Sequence, residues 1–189
     1  MAKAAGGKKP VIHEATPLDL EQLAEDFADA ALRAKRAGID AVEIHGAHGY
    51  IFSEFHSPAW NFREDEYGGS VENRSRLLCN VIRACREKVG PDFPLWARID
   101  AVEFDVPDGI TIEDAARRAE LLEEAGVDAV HVSAYANPLG PGFTKAPIVH
   151  YMAGFVDFAA KIKEHVSVPV ITAGRIEPDE GNRIIGEGK

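Results

Sequence analysis

The chain has 189 residues, 46% of them hydrophobic, which suits one core of ordinary domain size. Its 21 lysines and arginines against 31 aspartates and glutamates give a formal charge of −10, a field that repels nucleic acid and anionic membrane surfaces. No apolar run approaches the roughly 20 residues of a membrane span, and Met1 to Pro10 lacks the apolar centre of a signal peptide, so the expectation is a cytoplasmic protein with a small-molecule partner.

Residues 1–12 are small, basic and proline-containing, and read as a flexible lead-in to one domain over 13–189. Thr16-Pro17-Leu18-Asp19 sets a capping hydroxyl before a first-turn proline, with a carboxylate three residues on. Leu20, Leu23, Phe27, Ala30, Ala31 and Ala34 then recur at helical spacing until Gly38 ends the helix. A short strand, Ala41 to His45, follows. The phrase Ala37-Gly38-Ile39-Asp40-Ala41-Val42 returns as Ala125-Gly126-Val127-Asp128-Ala129-Val130, a helix-glycine-strand unit used twice.

Further strands are predicted at Pro94–Ile99, near Val130 and at Val168–Ala173, with helices near 74–89, 112–125, 154–165 and 178–187. Strands alternating with helices imply a parallel sheet of four. Two-residue periodicity puts Val42, Ile44, Leu95, Ala97, Val130 and Val132 on one face and Glu43, His45, Trp96, Arg98, His131 and Ser133 on the other. The apolar face suits a layer of helices. A titratable face needs a reason, and the lumen of a barrel whose active site opens at the strand C-terminal ends supplies one. Cys79 and Cys85, six apart on a helix, read as packed thiols rather than a metal pair or a disulfide.

The densest chemistry lies in Glu43-Ile44-His45-Gly46-Ala47-His48-Gly49-Tyr50 and in the run from Ser57-Pro58 through Asn61-Phe62-Arg63-Glu64-Asp65-Glu66-Tyr67-Gly68-Gly69-Ser70-Val71-Glu72-Asn73-Arg74. His45, at a strand end, and His48, after a turn, can converge on one acceptor as paired donors. Their alternatives are a metal pair, for which no third ligand stands out, or a packed couple. The 63–74 segment reads as a self-bonded βα loop, with Asn73 as the cap of the next helix.

These motifs resemble the fingerprint of the old yellow enzyme-like NADH:flavin oxidoreductases, including 2-enoate and 2,4-dienoyl-CoA reductases, over strands four to seven of their barrel. The resemblance implies an incomplete α/β (β/α)₈ TIM barrel, FMN as cofactor, NADH or NADPH as electron donor, and an α,β-unsaturated carbonyl or enoyl substrate. It implies that His45 and His48 bind the substrate carbonyl and that Tyr50 gives a proton to the α-carbon. A phenol keeps its proton at neutral pH, as a general acid must. Arg98 would face the pyrimidine edge of the flavin, its alternative being an ion pair with Asp100. Gly174-Arg175 would form a phosphate-binding turn. Trp60 departs from the smaller residues of the family and bears on substrate size. With half of the family's flavin contacts and two open sheet edges, the chain is expected to be colourless and to form a homo-oligomer. Two other functions fit: a catalytically silent partial barrel completed by a partner, and an unrelated phosphate-binding α/β enzyme.

Overall fold

The computed structural model describes residues 13–136 and 150–189, so the predicted lead-in over 1–12 lies outside the described residues. Helix α1 (Pro17–Arg36) opens on the expected capping box, with Thr16 Oγ1 accepting from the Asp19 amide and the Asp19 carboxylate accepting from Thr16 N. Its buried stripe is Leu20, Ala24, Ala28 and Ala31, whereas Ala30, expected inside, is exposed. Steps of three and four residues from Leu20 define the line along which α1 packs, chiefly on α3, and small side chains along it let the helices approach closely.

Four parallel strands follow in spatial order β1 (Val42–Gly46), β2 (Leu95–Glu103), β3 (Ala129–Tyr135) and β4 (Val170–Thr172). Between them run α2 (Ile51–His56), α3 (Val71–Val89), α4 (Ile112–Ala125) and α5 (Val156–Lys163), and α6 (Pro178–Gly186) comes last. Helix α1 packs on α3, α3 on α4 and α4 on α5. Together they cover one face of the sheet. Ile44, Leu95, Ala97, Ile99, Val130 and Val132 lie beneath them, all at most 3% exposed, with Leu77, Leu78, Val81 and Ile82 of α3 above. Each buried aliphatic side chain contributes about 1.5–3 kcal/mol relative to exposure, so this layer fixes the sheet.

The repeated glycines do what the repeat implied: Gly38 (φ 82°) and Gly126 (φ 106°) turn α1 and α4 into the following strands through left-handed conformations. Three details differ from expectation. Helix α3 is capped by Ser70, which accepts the Asn73 amide, while Asn73 Nδ2 donates back to Gly68 O. Strand β2 runs on to Glu103 through a register shift after Asp100, which buries Ile99, Asp100 and Ala101 in succession. Helix α2 went unforeseen; it is six residues long, and its Phe52 packs edge-on against Phe27 of α1 with ring centroids 5.2 Å apart. Both cysteines are buried and free.

Helix α2 ends on His56, which is 1% exposed and has neither ring nitrogen hydrogen-bonded among the described residues. Arg74 Nε (2.8 Å) and Arg118 Nη2 (3.4 Å) both donate to its carbonyl. Burial, then the charges of Arg118 and Arg74, hold the imidazole pKa well below its usual 6.5. The unfolded chain therefore takes up this proton first as pH falls, and stability is full above about 6.5 and declines below it. Chemical denaturation of the parent and His56→Leu at pH 6.5 and 5.5 should show the parent losing about 1 kcal/mol more than the variant over that interval. Comparing the two chains cancels the opposite pull of Asp100, whose raised pKa favours the fold as pH falls. Equal losses would mean that His56 takes up its proton as readily in the folded state as in the unfolded one.

Candidate active site

The sheet register sets His45 beside Arg98 and Arg98 beside His131, making a polar row across β1, β2 and β3 on the face away from the helices. One residue pair toward the strand N-termini, Glu43 Oε2 accepts from Trp96 Nε1 and bonds His131 Nδ1, each at 2.7 Å. Burial pushes the Glu43 carboxyl up, but these bonds outweigh it and leave the pKa below the ordinary value. Toward the C-termini, Ser133 Oγ accepts from Arg98 Nη2 at 3.1 Å and lies 2.7 Å from His48 Nε2. A hydroxyl that accepts from arginine has its own proton to give, so Ser133 favours the His48 tautomer with hydrogen on Nδ1.

Beyond this row the chain turns through Gly46-Ala47-His48-Gly49, with His48 at φ 66° and Gly49 at φ 71°. A residue with a Cβ in the left-handed region costs about 1–2 kcal/mol, so this turn must be held from outside. Asp100 holds it: Oδ2 accepts from His48 N and from Ser53 Oγ, both at 2.7 Å. Gly49 is needed for space as well, since a Cβ there would sit 2.7 Å from Tyr135 Oη.

The turn brings His45, His48 and Tyr50 to one cavity of about 460 Å³, closed on the β3 side by Ala134, Tyr135 and Ala136. The His45 ring lies 5.1 Å from that of His48 and 5.4 Å from that of Tyr50, centroid to centroid. Burial, then the Arg98 charge, lowers both imidazoles, His48 to about 4. Both rings are neutral at pH 7, each with one N–H to donate.

Of the residues singled out from the sequence, His45, His48 and Tyr50 share this cavity. Arg98 does not line it; the guanidinium belongs to the sheet row and reaches the cavity through Ser133 and His48. Its suggested partner Asp100 is turned toward α2 and the His48 turn instead. Gly174 (φ 136°) and Arg175 (φ 53°) form the turn after β4, away from the cavity lining. Trp60 belongs to a neighbouring cavity of about 450 Å³ with Phe55, Phe62, Glu14 and Glu54. Its indole donates to Glu103 Oε1 at 3.1 Å. Tyr135 and Asp100 were missed as site residues. Extending the two-residue period from Ser133 to Tyr135 and from Arg98 to Asp100 carries the signal for both.

The 63–74 loop is held by its own polar groups. Asn61 Nδ2 donates to Phe55 O (2.7 Å) and Tyr67 O (2.8 Å), and the Arg63 fork grips Asp65. Buried Arg74 ties the loop to α4 through Asp114 and Gly69 O. A Cβ on Gly68 would lie 1.8 Å from Arg63 O, so only glycine fits there.

The family model described as the NADH:flavin oxidoreductase / NADH oxidase family matches residues 2–189. The chain belongs to this family. It is similar to an NADH oxidase of Thermoanaerobacter brockii (44% identity over 177 residues, 93% of this chain and 27% of that protein). An NADPH dehydrogenase of Geobacillus thermodenitrificans is 42% identical over 167 residues, 88% of this chain and 46% of that protein. The chain thus spans less than half the length of either relative. Among solved structures, a 2-naphthoyl-CoA reductase complex superposes with a TM-score of 0.85 at 27% identity, over all of this chain and 28% of that one. The parallel arc with outer helices is part of the TIM-barrel fold of the old yellow enzyme type. Members of the family depend on FMN and a nicotinamide donor.

The electrostatics of the cavity are open to direct measurement. In an NMR titration of the ¹⁵N-histidine-labelled chain, the His48 ring should stay neutral down to about pH 4. Replacing Arg98 by methionine removes a repelling charge and should move that midpoint up. A His48 midpoint near 6.5 in the parent would contradict the burial and the Arg98 contact together.

Proposed function

We propose that the chain provides the substrate-activating part of an FMN-dependent ene-reductase that passes hydride from NADH or NADPH to an α,β-unsaturated carbonyl or enoyl compound. The observation that carries this reading is one cavity presenting two neutral imidazoles and a phenol at the C-terminal ends of parallel strands. His45 and His48 are assigned to the substrate carbonyl oxygen. Two donors on that oxygen stabilise the enolate-like charge that grows there, with about 3 kcal/mol from each well-placed bond. Neutral imidazoles suit this task, because each donates a hydrogen bond without surrendering its proton.

The sheet face fits a flavin. Arg98 Nε and His131 Nε2 are buried there with no hydrogen-bond partner among the described residues, and Arg98 carries the positive charge that favours a reduced anionic ring. Arg98 and the backbone of the Gly174-Arg175 turn are the groups assigned to hold FMN. When bound, FMN would supply the hydride that adds at the β-carbon. Tyr50 gives its phenolic proton to the α-carbon, completing a two-electron, two-proton reduction of the C=C bond. At 63% exposure the phenol is open to reprotonation from water.

This reading places the protein in the cytoplasm, where nicotinamide donors are found. The strands β1 and β4 are the sheet edges among the described residues, and we assign them to association between copies of the chain. Light scattering during size exclusion should give a mass above the 20.5 kDa of one chain. A monomer would remove this part of the reading.

For the chemistry, stopped-flow absorbance separates the half-reactions in protein supplied with excess FMN. Tyr50→Phe should slow flavin reoxidation by an enone about 10²–10⁴-fold and leave reduction by the nicotinamide within about twofold. Equal slowing of both would make Tyr50 structural.

A further inference from the structure

Asp100 occupies a position that the polar row does not explain. It lies two residues beyond Arg98 on β2, is fully buried, and has Ser133 as its register partner on β3. The same Oδ2 accepts the His48 amide and the Ser53 hydroxyl, while Oδ1 has no partner among the described residues. The carboxylate therefore bonds outward to β1's turn and to α2, and makes no ion pair with Arg98. Hydrogen bonds to a carboxylate are shorter and stronger than neutral ones, so this is a firm hold on a single backbone N–H.

Among the described residues that line the cavity, that N–H belongs to the one non-glycine residue with a left-handed backbone, His48 at φ 66°. The other end of the same residue is held as well, by Ser133 Oγ at Nε2. Backbone and ring of His48 are thus fixed by Asp100 and Ser133, two residues that are neighbours across the β2–β3 ladder. If the amide is released, the φ of His48 is free to return to the ordinary range, and the ring swings with it. Burial, with Glu103 close by, raises the Asp100 carboxyl to about 6, which marks how little solvent the site shares.

We infer that Asp100 is a positioning residue: its buried carboxylate clamps the His48 amide, locks the left-handed turn, and so aims the His48 ring at the substrate carbonyl. Asp100 is not among the described residues that line the cavity, so its assigned action runs through His48. This role rests on the assignment of His48 to the carbonyl, and its test must tell the two apart.

The full chain, labelled with ¹⁵N, carries the first measurement, which needs neither flavin nor substrate. In the parent the His48 amide proton should be shifted downfield and protected from hydrogen exchange. In Asp100→Ala it should exchange at least tenfold faster, with the His48 ring signals displaced while those of distant His165 stay. Asp100→Asn retains an acceptor without the charge, so the amide should move upfield yet remain protected. Ser53→Ala removes the other bond to Oδ2 and should leave the His48 amide protected. If Asp100→Ala fails to fold, the Asn variant decides: an unmoved His48 amide overturns the clamp.

The second measurement uses the protein with excess FMN. Asp100→Ala should lower kcat/KM for an enone about 10–100-fold, with a raised KM, while flavin reduction by the nicotinamide stays within about twofold. Asp100→Asn should recover most of that loss. A similar loss in both half-reactions, or none in either, overturns the positioning role. Should the parent reduce no enone at all, the proposed function falls, and the His48 amide still reports whether Asp100 holds the turn.

Discussion

The register between β1, β2 and β3 is the constraint on which the site depends. It sets His45, Arg98 and His131 side by side, and it does so because Ile44, Ala97, Ile99, Val130 and Val132 must all enter the layer beneath the helices. A slip of one residue would send those aliphatic side chains to the polar face and His45, Arg98 and His131 into the core. The cost of such a slip is the burial energy of a whole strand face. The chemistry of the row is thereby guarded by an apolar layer that touches none of it.

Charge on the polar face is arranged to keep imidazoles neutral. Arg98 stands next to His45 in the register and reaches His48 through Ser133, and its positive charge adds to burial in disfavouring a second cation. Glu43 would oppose this, but it is engaged by His131 and Trp96 at the other end of the row. The separation is spatial. Donors without net charge end up at the mouth, and the hydrogen-bonded Glu43–His131 contact stays nearer the strand starts.

A second polar system lies under the loop that follows the site. Glu103 accepts from Ser57, Trp60 and the Ile110 amide, and Arg74 joins His56, Gly69 and Asp114. These bonds fasten α2 and the 57–74 loop to the ends of β2 and α4. Because Tyr50 immediately precedes α2 and α2 also supplies Ser53 to Asp100, the rigidity of this loop bears on the geometry of the cavity. The register shift after Asp100 lets β2 serve both systems, giving Asp100 to the turn and Glu103 to the loop.

Much of this was legible in the sequence because it rests on local rules. The capping box at Thr16, the glycines at 38 and 126, the strands, and the division of their residues between two faces all follow from periods of two and 3.6 and from backbone preferences that act within a few residues. The His45-to-Tyr50 grouping was legible for the same reason, since six consecutive residues at a strand end cannot lie far apart. Asp100's real partners, Ser53 and the His48 amide, were not, being 47 and 52 positions away along the chain. Nor could sequence place Trp60 in a separate cavity, enclose His56 between two arginines, or set Tyr135 against Gly49. Each of those depends on how α2 and the loop pack across the strand ends, and no periodicity encodes a contact between distant segments; only the folded arrangement of layers decides it.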